Sequence, residues 1–288
     1  MNVNASVFFY PVNREMMNRI CESGLKTSPD FFGRYTDTFD EPRRSKKVIQ
    51  GAEIRLFAER EEEVIPEIRE LLTKSRETFL AINSDGIRFT VGIGFLDFSE
   101  MDAWLQEKGI FSIVTPADFW GILAPFQCNF GFTFFCSPPE QAPEILEVEE
   151  ETQIILENRW FREPLLRKGK LTKGFLTIRG LDDEKFPVFS DDWKQANGEY
   201  RLPFPERLDW YEVGKTVQKT LVEWEPLFLE MKNSGAEFEL SITIPREEQA
   251  KFLRTRFGLE SDCIRVLHRL EIPLKFSIIS DSERANES

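Results

Sequence analysis

Histidine is almost missing from this sequence of 288 residues, which contains only His268. Nucleophilic catalysis by a serine–histidine or cysteine–histidine pair would have to use that one imidazole. Cys263 precedes it by five residues, a spacing that puts the two side chains on different faces of a helix. The pattern therefore favours a surface or boundary histidine over a catalytic dyad.

Cysteine is scarce too, with four residues, Cys21, Cys128, Cys136 and Cys263, and no Cys-x-x-Cys pair. A zinc site normally takes clustered cysteine and histidine ligands, so this set predicts no zinc centre. Cys128 and Cys136 alternate in step with the phenylalanines between them, which predicts the buried face of a strand. Because buried free thiols are typical of a reducing compartment, we expect a cytoplasmic protein.

Membrane, export and nucleotide-binding signals are missing as well. No stretch approaches the ~18 consecutive apolar residues of a membrane span. The first residues lack the basic and apolar regions of a signal peptide, which again favours the cytoplasm. Gly92-Ile93-Gly94 has no third glycine to complete a dinucleotide-binding motif, and no phosphate-binding loop of the GxxxxGK type occurs. The sequence predicts no cofactor.

Negative charge, by contrast, is in excess: 50 acidic and 37 basic residues give a net charge of −13. Charge of this sign disfavours nucleic acid and anionic membranes as partners. It is typical of a highly soluble protein, and it also suits a basic protein partner. With 41% hydrophobic residues, the sequence is that of a globular protein rather than a disordered one.

The acidic residues are unevenly distributed. Between Gly109 and Asn158 there are eight acidic residues and no basic one, and seven basic residues follow between Arg159 and Arg179. Two interpretations stay open, an acidic surface for a basic partner and a solvated linker followed by an ordinary basic strand. The candidate partner-binding residues, two of them from a later strand, are Glu144, Glu147, Glu149, Glu150, Glu151, Glu237 and Glu239.

One pattern of secondary structure occurs twice, at 87–136 and at 236–280. In each copy a strand with one apolar face is followed by a helix and by a second alternating strand. Residues 119–136 align with 263–280 without gaps, but Leu123/Leu267 and Phe132/Phe276 are the only identical pairs. The similarity is one of pattern, so a chance resemblance of two α+β segments is the alternative to a divergent internal repeat.

The strands of both copies are apolar on one face and polar or mixed on the other, which indicates sheets that helices cover on one side only. We predict an α+β protein of two related units, 1–145 and 146–288, joined by a linker at 137–152. Each unit would be a mostly antiparallel or mixed sheet with helices packed on one face, a two-layer sandwich. The uncovered faces are the expected binding surface, and they carry Thr90, Thr133, Glu237, Glu239, Ser241 and Lys275.

Proline and apolar spacing give the more local predictions. Pro66 suits the first turn of a helix, and Pro226 predicts a kink or a break in the helix that runs through 217–231. Residues 198–210 contain two prolines and are expected to be irregular. The helix of the second copy is placed over 250–257, with Ala250, Leu253 and Phe257 on its apolar face.

No set of catalytic residues emerges, and three functions stay open. The first is a non-catalytic cytoplasmic protein-binding module with an acidic surface, for example an immunity-type antagonist of a basic toxin or nuclease. The second is a carboxylate- or divalent-metal-dependent hydrolase, although its candidate ligands lack the spacing of a calcium loop. The third is a structural protein that self-assembles, and nucleic-acid binding is disfavoured by the net charge. The candidate metal ligands are Asp182, Asp183, Asp191 and Asp192.

Overall fold

A computed structural model describes residues 3–10, 14–25, 52–58, 60–95, 105, 107–134, 172–181, 194–196, 199–207, 210–245 and 255–279. In the first half of the chain the strands are β1 (Val3–Tyr10), β2 (Ala52–Ala58), β3 (Arg88–Phe95), β4 (Ile110–Thr115) and β5 (Cys128–Phe134). The helices there are α1 (Arg14–Glu22), α2 (Glu61–Lys74), α3 (Arg76–Ser84) and α4 (Ala117–Leu123).

In the second half of the chain the strands are β6 (Thr172–Arg179), β7 (Lys194–Ala196), β8 (Glu199–Arg207), β9 (Glu237–Pro245), β10 (Thr255–Leu259) and β11 (Leu274–Ile279). Its helices are α5 (Trp210–Glu223), α6 (Glu225–Asn233) and α7 (Ser261–Leu270). From β8 onward the second half has the same order of elements as the first half has from β2 onward, but β7 stands where the first half has α1. The pair α5 and α6 corresponds to α2 and α3, and in each pair a single residue separates two amphipathic helices. Trp224 separates α5 from α6, and Pro226 lies in the first turn of α6, so the predicted break at this proline is confirmed.

The strands form two mixed sheets. Sheet A has the order β10-β5-β3-β1-β2, and sheet B has the order β4-β11-β9-β6-β8-β7. Within each sheet one pair is parallel, β3 with β5 and β9 with β11, and the other neighbours are antiparallel. The predicted α+β architecture, with helices on one face of mixed sheets, is therefore confirmed.

The two sheets exchange one strand each. β4 comes from the first half of the chain but pairs with β11 in sheet B, and β10 comes from the second half but pairs with β5 in sheet A. The pairing is equivalent in the two sheets: Phe132 lies opposite Ile93 and Phe257 in sheet A, and Phe276 lies opposite Ile242 and Ile113 in sheet B. The predicted boundary near 145 and the linker at 137–152 lie outside the described residues, and a common origin of the two halves stays a prediction.

The apolar faces of both sheets and the helices that cover them form one continuous hydrophobic core. On sheet A, Phe79 of α3 packs against Phe9 and Phe89, with ring centroids 5.7 and 5.0 Å apart. On sheet B, Phe228 of α6 contacts Phe238 edge to face. Helices α4 and α7 each connect a strand of one sheet to a strand of the other, and they pack against each other. The Trp120 indole donates a hydrogen bond of 2.6 Å to the Ile272 carbonyl.

Glycines allow the closest backbone contacts in this core. A Cβ on Gly214 of α5 would lie 2.8 Å from the carbonyl oxygen of Gly258, so the helix packs directly against strand β10. On the neighbouring strand, a Cβ on Gly131 would overlap the Phe257 carbonyl oxygen. Gly92, opposite Gly131 on β3, has no such close neighbour, because its Cβ would lie 3.6 Å from the Ser6 hydroxyl and 4.0 Å from the Ser6 carbonyl oxygen.

Several local predictions are wrong. Helix α2 begins at Glu61 rather than near Pro66, which lies inside the helix. Residues 199–207 form strand β8 in spite of their prolines, because β7 pairs only with 199–201 and leaves the rest of that edge without a neighbouring strand among the described residues. Phe257 lies on strand β10 and not on a helix, since pairing with Phe132 extends the backbone there. Ala250 and Leu253 lie outside the described residues.

Candidate binding surface

The outer face of sheet B points away from the hydrophobic core and carries most of the described candidate residues. Strands β6, β8, β9, β11 and β4 contribute every second residue to it. These residues are Lys173, Phe175, Thr177, Arg179, Glu199, Arg201, Pro203, Glu237, Glu239, Ser241, Thr243, Lys275, Ser277, Ser112 and Val114. Of the charged side chains in this described set, four are basic and three are acidic, so these residues do not share the strong negative charge of the whole chain.

Arg179 is the centre of an ion-pair cluster on this face. Its Nε donates to Oε1 of Glu199 on β8 at 2.6 Å, and its Nη1 donates to Oε2 of Glu239 on β9 at 3.2 Å. The register makes these contacts possible, because Arg179 lies directly between Glu199 and Glu237 and diagonally beside Glu239. The other oxygen of Glu239 accepts a hydrogen bond from Ser241 at 3.3 Å.

The ion pair between Arg179 and Glu199 is strong enough to affect both titrations. The hydrogen bond from Arg179 is the main cause of a lowered pKa for Glu199, and the same bond raises the pKa of Arg179. The side chains of Arg179 and Glu199 are 42% and 26% exposed, so water screens the pair and a bound partner would strengthen it.

Arg201 lies beside this cluster and contacts an aromatic ring. Its guanidinium carbon lies 5.3 Å from the ring centroid of Phe175, and its Nη2 lies 3.6 Å from Glu199. Contact between an arginine and a phenylalanine ring is a cation–π interaction. Phe175 is half-buried and the Arg201 side chain is 50% exposed, so both can contact a partner.

The middle of the outer faces is less open than the sequence predicts. Glu237 and Lys275 are exposed as expected, but Thr90 is only 5% and Ser241 only 6% exposed. Both are short side chains on central strands with longer residues opposite them, Phe8 beside Thr90 and Phe175 beside Ser241. The side chain of Thr133 lies outside the described residues, as does any contact that it makes.

Buried hydroxyl groups line the centre of the same face. Ser277 is 3% and Thr177 is 2% exposed. Ser112 on β4 and Ser277 on β11 lie opposite each other, and their hydroxyl oxygens are 2.7 Å apart. This hydrogen bond joins the exchanged strand to its new neighbour through side chains as well as through the backbone.

The structure brings together two of the predicted partner-binding residues, Glu237 and Glu239. On the same face the structure places three further candidate binding residues, Phe175, Arg179 and Arg201, which the sequence analysis did not select. Their contacts depend on the register between strands distant in sequence, and Arg201 lies in a stretch that was expected to be irregular. The other predicted residues lie outside the described residues, and these are Glu144, Glu147, Glu149, Glu150, Glu151, Asp182, Asp183, Asp191 and Asp192.

A second charged feature is a shallow groove between α1 and α3. It is lined by Arg19, Glu22, Glu77 and Asp85 around an apolar floor that includes Ile82. Arg19 contacts Asp85 at 2.5 Å and Glu15 at 2.8 Å. The hydrogen bond to Asp85 is the main cause of a raised pKa for Arg19. Carboxylates therefore outnumber cations here, in contrast to the outer face of sheet B.

The residues considered for nucleophilic chemistry are separated by the fold. Cys263 is buried on α7, whereas His268 is exposed on the same helix, as their spacing predicted. Burial raises the pKa of both described free thiols, that of Cys128 to about 12. Within the described ranges, no three His, Cys, Asp or Glu side chains are close enough to hold a metal ion.

Among the helices that the structure describes, none has the length and apolar character needed to cross a membrane. Comparison with protein-family models, curated proteins and solved structures finds no match for this chain. The evidence for the candidate surface therefore comes from this chain alone, from a charged and aromatic outer face on paired strands.

Proposed function

We propose that this chain is a non-catalytic protein-binding module that acts in the cytoplasm, and that the outer face of sheet B is part of its binding surface. The observation that supports this best is the ion-pair cluster of Arg179, Glu199 and Glu239 beside the stacked Arg201 and Phe175. Arginine and aromatic side chains are enriched where proteins bind each other.

The position of this surface on paired strands also supports binding. Every described charged residue of the cluster lies on a paired strand, and the ion pairs fix the guanidinium groups before a partner arrives. Less side-chain entropy is then lost on binding, which favours affinity. Buried free thiols at Cys128 and Cys263 are in keeping with the proposed cytoplasmic location.

A basic partner, such as the toxin or nuclease of an immunity pair, stays part of the proposal. Its support is the net charge of −13 and the acidic groove at Glu22, Glu77 and Asp85. The glutamates between 144 and 151 would add to such a surface. A hydrolase and a self-assembling protein are the alternatives, but no contact among the described residues favours either.

The test is capture of partners from a lysate of the source organism with the wild-type protein and two charge-reversal variants. Arg201→Glu alters the outer face, and Arg265→Glu is the matched control because Arg265 is an exposed arginine on α7. We expect a protein that binds the wild type and Arg265→Glu and is lost from Arg201→Glu. Equal retention by both variants would contradict a role for this face, and a protein retained only at low salt would show that charge drives binding.

A further inference from the structure

We propose that the outer face of sheet B binds an acidic peptide segment of its partner, with Phe175 at the centre of the contact. This inference rests on the proposed protein-binding function and specifies the chemistry of the partner. Three cationic side chains surround Phe175 on this face, and we call Lys173, Arg201 and Lys275 the basic rim.

The strand register fixes the shape of the rim. Lys173 lies two residues before Phe175 on β6, which puts it roughly 7 Å away along the strand. Phe175 lies opposite Ser241, and Ser241 lies opposite Lys275, so Lys275 is two strands or roughly 10 Å from Phe175. Arg201 lies over the Phe175 ring itself. An extended peptide that crosses Phe175 can therefore meet all three cations.

The charges that this face offers to a partner are mainly basic. Glu199 and Glu239 both bond to Arg179, and Glu199 also lies 3.6 Å from Arg201, so the two arginines balance the two carboxylates within the sheet. Lys173 and Lys275 are exposed, and among the described residues neither forms an ion pair. Glu237 is the one exposed acidic side chain of the described outer face that has no such bond. A carboxylate from a partner would meet uncompensated cations here.

Phe175 gives the site an apolar centre as well as charge. The ring is half-buried between Ser241 and Pro203 on the neighbouring strands, and Arg201 contacts it. Interface residues that contribute most to affinity are typically aromatic or arginine side chains surrounded by polar groups. The matching segment would carry an apolar side chain between acidic ones.

The surroundings make this site selective. The chain as a whole has a net charge of −13, so an acidic peptide is repelled by most of its surface. Binding of such a peptide would then show a specific contact with the basic rim and not a non-specific electrostatic attraction to the whole chain. The three cations of the rim are too few to hold a nucleic acid against the same repulsion.

The experiment uses the full chain and a fluorescein-labelled peptide of glutamates with one central leucine, measured by fluorescence anisotropy at low salt. We expect saturable binding to the wild type that weakens roughly tenfold in the double variant Lys173→Glu/Lys275→Glu. Lys173→Arg/Lys275→Arg should keep the affinity. Lys219→Glu is the matched control, because Lys219 is an exposed lysine on α5, away from this face.

Three outcomes would overturn the inference. These are no binding by the wild type, an equal loss in Lys219→Glu, and displacement of the peptide by a single-stranded oligonucleotide that itself needs Lys173 and Lys275. Urea unfolding of each variant separates loss of binding from loss of the fold. If the peptide fails but lysate capture still depends on Arg201, the proposed binding function stands and only the acidic partner segment is excluded.

Discussion

Phe132 and Phe276 stack face to face, with ring centroids 4.1 Å apart and ring planes inclined by 13°. One ring belongs to β5 in sheet A and the other to β11 in sheet B, so the stack joins the two sheets. The two residues are equivalent positions of the two halves, and each lies opposite an exchanged strand. The two sheets are thus joined in the core by Phe132 and Phe276, one of the two identical pairs in the alignment of 119–136 with 263–280.

Replacement of either ring by alanine should destabilise the whole protein. Both are fully buried, and a buried Phe→Ala change typically costs about 3–5 kcal/mol of unfolding free energy. Urea unfolding of Phe132→Ala, Phe276→Ala and the double variant would give the coupling energy, for which about 0.5–1.5 kcal/mol is expected from the stack. Strictly additive losses would show that the rings contribute only by separate burial.

The exchange of β4 and β10 predicts that the halves stay together after the chain is cut. A protease site inserted in the predicted linker at 137–152 would separate the halves covalently, but each sheet would still contain a strand of the other fragment. We expect a single peak at the intact mass in size-exclusion chromatography without denaturant. Two separately eluting fragments would contradict an interlocked core.

Glycine substitutions should distinguish close packing from ordinary strand positions. Gly131→Ala would force a methyl group onto the Phe257 carbonyl, and Gly214→Ala would push α5 away from Gly258. Overpacking of this kind costs about 1–3 kcal/mol. Gly92→Ala in the same row of sheet A is the control, and thermal unfolding should show much the smaller change for it. A similar loss in all three variants would mean that the close contacts at Gly131 and Gly214 are not its cause.

Thr115 carries the one described side-chain hydroxyl that is buried without a hydrogen-bond partner. It lies at the end of β4 opposite Leu274, on the apolar face of sheet B. A buried polar group without a partner is costly, so Thr115→Val should stabilise the protein by about 1 kcal/mol. Ser277→Ala, which removes the hydrogen bond to Ser112, should destabilise it instead. Chemical denaturation of both variants would measure these two opposite changes in unfolding free energy.

The Arg179–Glu199 pair predicts a pH dependence of stability. The pKa of Glu199 is lower in the folded protein than in the unfolded chain, where a glutamate titrates near ~4.3. Its contribution is therefore complete above the unfolded pKa and is lost as the pH falls through the folded pKa. The stability difference between wild type and Glu199→Gln should shrink on acidification through this range. A difference that does not change with pH would exclude the ion pair as its cause.

The sequence predicted the elements whose burial pattern is regular and local. Alternation identified β9 and β11, and Pro226 marked the break between α5 and α6. The sequence analysis did not predict the two exchanged strands, although Phe111 and Ile113 of β4 do alternate in burial with their neighbours. Short strands such as β4 and β10 gain their stability from neighbours far along the chain, which periodicity does not reveal. The same holds for the contacts of Arg179, since they depend on register.

Reciprocal strand exchange also constrains how this protein is made. When the first half leaves the ribosome, β4 has no β11 to pair with, and sheet A lacks its last strand until β10 is synthesised. The pairing of β4, which carries the buried residues Phe111 and Ile113, is then delayed until β11 has been synthesised. A nascent chain of this fold therefore depends on the later strands β10 and β11 to protect its early strands from aggregation.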